Sequence, residues 1–121
     1  MAYLRPIVER HLAERDWKEL RALQPIALDR FCKRVLADIV GAASDTSRGN
    51  HELYLAICKL IRDRDHQLED AFDDMRRSTA VIQIGRMCVL GLVAEDEFAR
   101  FSDDMRGVVE TIVGRLPYCG G

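Results

Sequence analysis

The chain has 121 residues, 48% apolar and 31% charged, with a formal net charge of −2. That length suits one domain burying about 65% of the surface of its unfolded chain, and the composition excludes a disordered tail. No apolar run reaches the roughly 18 residues that span a bilayer, and charge interrupts segment 1–10 before a signal-peptide core can form, so a cytoplasmic protein is expected.

Helical spacing dominates and no stretch alternates long enough for a strand. The pattern predicts an all-α, single-domain helical bundle over 1–116, with four longer and two short helices, followed by a flexible tail over 117–121. Leu4, Ile7, Val8, His11 and Leu12 mark a first helix, with Pro6 in its opening turn. The apolar phase jumps at Trp17, and Asp16-Trp17-Lys18-Glu19 has the form of a capping box. The first helix is therefore expected to end near Arg15 and a short one to start at Trp17.

Pro25 is expected to open the next helix, which ends near Ala43. Leu28, Phe31, Cys32, Val35, Leu36 and Ile39 form its core face, with Asp29, Arg30, Lys33, Arg34 and Asp38 on the wet side. Ser44 to Asn50 is a run of turn formers, with Asn50 as N-cap of a helix reaching about Met75. Ser78 offers the cap for a helix from Thr79 to Leu90 that is apolar nearly all round, with Gln83, Arg86 and Leu90 left outside. Gly91 suits a left-handed C-cap with Leu92 as its hydrophobic contact, and Glu95-Asp96-Glu97 suits the acidic first turn of a short helix carrying Phe98 and Phe101. Ser102 then caps a last helix, with Met105, Val108, Val109, Ile112 and Leu116 facing inward.

The feature of most interest is a stripe formed by Tyr54, Ile57, Cys58, Ile61, Leu68, Phe72 and Met75, crossed by Arg64 and Asp65. At about 100° per residue Asp65 falls on that stripe, where an ionised carboxylate needs a cation or hydrogen-bond donors. Arg64 of a second copy, His11 or a neighbouring arginine are the candidate partners. Arg64, Asp65 and His11 are thus the candidate buried polar or interface residues, since such polar groups fix register and oligomeric state in helical assemblies.

Other constellations carry less chemistry. His66 and Asp70 stand four residues apart and offer two ligands for a metal, yet they lie among Asp63, Glu69 and Asp73 on the face away from the stripe. Gly91 between two helices suggests a helix-turn-helix, but Glu95, Asp96 and Glu97 would open its recognition helix, and phosphates repel them. Residues 1–34 carry eight cationic against five acidic side chains and residues 35–121 ten against fifteen, so neither part has the basic footprint of a nucleic-acid binder. Arginine supplies 15 of the 18 cations, a bias that fits a GC-rich bacterial genome. Only three histidines are present, with no G-x-S-x-G, phosphate-binding glycine loop or C-x-x-C. Cys32, Cys58 and Cys88 fall on apolar faces and are expected to be reduced core residues, whereas Cys119 in the tail could crosslink two chains.

The expectation is therefore a small cytoplasmic, bacterial protein-interaction or regulatory module without catalytic activity or cofactor, forming a homodimer. A nucleic-acid-associated regulator, or a ligand- or metal-binding protein using His66 and Asp70, is the alternative.

Overall fold

The computed structural model describes residues 12–114, which hold five helices and no strand. These are α1 (Glu14–Ala43), α2 (Asn50–Phe72), α3 (Ala80–Val89), α4 (Glu95–Phe98) and α5 (Asp103–Val113). The all-α bundle expected from the spacing is the fold observed. The expected first helix up to Leu12, the tail, His11, Leu116 and Cys119 lie outside the described residues, apart from Leu12 itself, which is buried.

The largest departure from expectation is α1, a single helix of 30 residues that passes through both expected breaks. Asp16 is not an N-cap. Its carboxylate reaches across to accept hydrogen bonds from the Ser102 backbone N–H (2.8 Å) and hydroxyl (2.7 Å). Pro25 sits inside the helix with its ring exposed. An interior proline costs about 3 kcal/mol, whereas burying a large apolar side chain gains about 1.5–3 kcal/mol. Leu20, Leu23, Ala27 and Phe31 form one buried stripe that continues from Asp16, and only an unbroken helix keeps them on one side.

The turn from α2 into α3 is polar and well tied. Asp74 takes a left-handed conformation (φ 56°), and the Gln83 amide donates to the Asp73 carbonyl at 2.6 Å. Gln83 is consequently buried, not outside as its polarity suggested. Thr79, rather than Ser78, occupies the cap position of α3, and its hydroxyl lies 3.2 Å from both the Asp74 and the Arg76 carbonyls, either of which can accept its single proton. The next turn matches expectation: Gly91 has φ 72°, the Leu92 N–H closes on the Met87 carbonyl at 3.0 Å, and Leu92 is buried. Ser102 caps α5, its Oγ accepting from the Met105 N–H at 3.2 Å.

α1 lies along α2 and α3 along α5, with α3 also touching α1 and α2. The core collects at one end of this arrangement, where Leu20, Leu23, Phe31, Phe72, Val81, Ile84, Met87, Phe101, Val109 and Ile112 meet. Between Phe31 and Ala71 no residue is buried. The last three turns of α1 and most of α2 therefore form a two-helix arm that extends about 18 Å beyond the core.

Candidate interaction surface

The arm has an inner seam and an outer face. Val35 and Ile39 of α1 and Leu53, Ile57, Leu60 and Leu68 of α2 are partly buried along the seam. Arg64 lies on the same side of α2 and donates to Asp38 of α1 at 3.3 Å, an ion pair between half-exposed groups. Arg64 thus acts between helices of one chain.

Asp65 does not lie in an apolar setting: it is exposed, and no ion pair to it occurs among the described residues. The reason is a rotation of α2. Apolar residues occupy most of its circumference over its first three turns, and the packed row is Leu53, Ile57, Leu60, Arg64, Leu68. At about 100° per residue this row is turned by roughly 90° from the Tyr54, Cys58, Ile61 row. Burial of Ala71 and Phe72 in the core and the Arg64–Asp38 pair hold α2 in that rotation.

Of the expected stripe, Ile57, Leu68, Phe72 and Met75 pack inward, whereas Tyr54 and Ile61 face outward. Tyr54 (65% exposed), Leu55 (52%) and Ile61 (40%) remain uncovered on α2, as do Leu36 (62%) and Val40 (65%) on α1. Cys32 is exposed as well, and Cys58 only partly covered, so neither is the core residue expected. On α1 Leu36 and Val40 turn away from Asp38, and on α2 Leu55 lies opposite Arg64 with Tyr54 and Ile61 at its flank. Large apolar side chains are thus left uncovered on both helices of the arm. Scattered exposed apolar residues are ordinary, whereas a contiguous set on one face marks a contact surface.

The remaining polar groups are engaged in holding the fold. Arg30 forms a bidentate pair with Glu97 (2.6 and 2.9 Å) and also donates to the Leu92 carbonyl at 2.9 Å. Arg34, one turn on, donates to the carbonyls of Leu90 (2.5 Å) and Gly91 (2.7 Å). Together they clasp the α3–α4 turn onto α1. The Arg30 guanidinium, followed by the Ala94 N–H, holds the Glu97 carboxyl down at about 2. Glu97 occupies the position where a helix-turn-helix would need an apolar residue. The spacing puts Arg30 and Arg34 on the wet side of their helix. Their four-residue spacing was visible, but not the turn they meet some 56–67 residues later.

His66 is exposed, and its expected co-ligand Asp70 faces Arg86 at 3.7 Å. No group of three potential metal ligands occurs among the described residues. Burial pushes the Cys88 thiol up to about 11, which keeps it protonated at neutral pH. Cys88 lines an open apolar cleft of about 300 Å³ with Val93, Phe98, Val109 and Val113, at the lower limit of small-molecule sites. No helix among the described residues is long and apolar enough to cross a membrane.

Comparison with known protein families, with curated proteins and with solved structures finds no match to the chain. Any functional reading therefore rests on this surface.

Proposed function

We propose that the chain is a non-catalytic protein-interaction module of the cytoplasm that acts as a homodimer through the outer face of the α1–α2 arm. The observation that carries this reading is the shared exposure of Leu36, Val40, Tyr54, Leu55 and Ile61 on an arm with no buried residue of its own. A two-helix layer covers its apolar positions only by packing against further helices. In support, the polar side chains best placed for chemistry serve the fold: Asp16 holds Ser102, Gln83 holds Asp73 and Glu97 holds Arg30.

Beyond the core the two helices run side by side for about 18 Å and are together about 20 Å wide, so each copy offers roughly 360 Å². Two copies would bury about 700 Å², the size of a weak, reversible association. Size-exclusion chromatography with light scattering tests the reading. The expected mass is twice the 13.8 kDa of one chain, and Leu36→Asp is expected to give the single-chain mass with unchanged helicity. A wild-type chain that is monomeric at tens of micromolar would refute it.

A further inference from the structure

We infer that the second copy sits with its arm pointing the same way, so that α1 of each copy lies over α2 of the other and the two arms close a four-helix bundle. This rests on the outer face being the interaction surface and adds the orientation of its occupant. Two contacts set which residues of the antiparallel helices lie level: the rings of Phe31 and Phe72, 6.2 Å apart, and the Asp38–Arg64 pair. In that register Lys33 is level with Glu69, Leu36 with the Asp65 turn, and Val40 with Ile61 and Arg62.

A twofold axis running along the arm preserves these levels between copies. It brings Val40 against Ile61 of the second copy and Leu36 against the Asp65 turn of the second copy, and Lys33 at the rim of α1 against Glu69 and Asp65 of the second copy. Lys33, Asp65 and Glu69 are all exposed and none makes an ion pair among the described residues. The apolar rows and the charges are therefore matched by one operation. With the arms opposed, α1 lies on α1 and α2 on α2, which parts Lys33 from Glu69. Rim charges of this kind select orientation more than they add affinity, as flanking charges do in helical bundles.

The test is the dimer dissociation constant of the full chain, measured by sedimentation for wild type, Lys33→Glu, Glu69→Lys and the double variant. Symmetry repeats each pair, so each single reversal is expected to weaken the dimer roughly tenfold and the double to return within about threefold of wild type. Both sites are exposed, and far-UV circular dichroism is expected to be the same for all four chains. A dimeric wild type whose singles are unaffected, or whose double is weaker than either single, overturns the orientation and leaves the surface standing. A monomeric wild type overturns both.

Discussion

Glu97 shows how a single side chain joins distant parts of this chain. Its carboxylate takes both guanidinium nitrogens of Arg30 and also accepts the Ala94 N–H at 2.8 Å at the start of α4. Because its folded pKa lies below that of the free side chain, the pair stabilises the fold fully above about pH 4.5, and this contribution is lost as pH falls through about 2. Glu97→Gln is expected to lower stability by about 1–2 kcal/mol at pH 7, with the difference from wild type closing as pH drops from 4.5 towards 2. Denaturant unfolding at several pH values measures it, and a pH-independent difference would show that the charge is not the cause. Asp16 is the buried counterpart. Asp16→Ala leaves the Ser102 N–H and hydroxyl without their acceptor and is expected to cost about 2–3 kcal/mol in the same assay, whereas a loss under 0.5 kcal/mol would deny the tie its role. Local chemistry such as Gly91 and Ser102 was legible because a cap and its partner lie within five residues. The ties of Asp16 and Arg30 were not, since their partners stand 86 and 67 residues away.

At the scale of elements, α1 and α2 are where reasoning from pattern met competing signals. Pro25 and the Asp16 capping pattern both spoke for breaks, yet the buried stripe from Asp16 to Phe31 runs through them. If the helix is straightened by packing against the cost of that proline, Pro25→Ala should raise stability by about 1–3 kcal/mol, read as a higher denaturation midpoint at unchanged slope. A variant no more stable than wild type would mean that the proline ring contributes contacts that offset its missing N–H. For α2 the helix itself was legible, but its rotation was not. Apolar residues on most of its circumference allow two packed faces, and the choice depends on Asp38 and the core at Phe72, which no periodicity within α2 can reveal. Asp65 consequently moved from an expected interior position to the open side.

For the whole molecule, a compact end built on all five helices carries a two-helix arm whose outer face is apolar. Its core and helix order were largely readable from spacing and caps, whereas the arm's uncovered face was not, because a sequence shows which residues are apolar but not which of them neighbours leave bare. Covering that face with a second copy also places a cation near Asp65 without altering the chain's own packing. Amide hydrogen exchange over residues 32–43 and 50–65, measured across a hundredfold range of protein concentration, tests this most directly. Local opening of an arm with no buried residue is easy in a single chain, whereas association protects it by mass action. Protection in both segments that rises with concentration, while α3 and α5 stay constant, is the expected result; exchange in the arm that is fast and independent of concentration would contradict the homodimer.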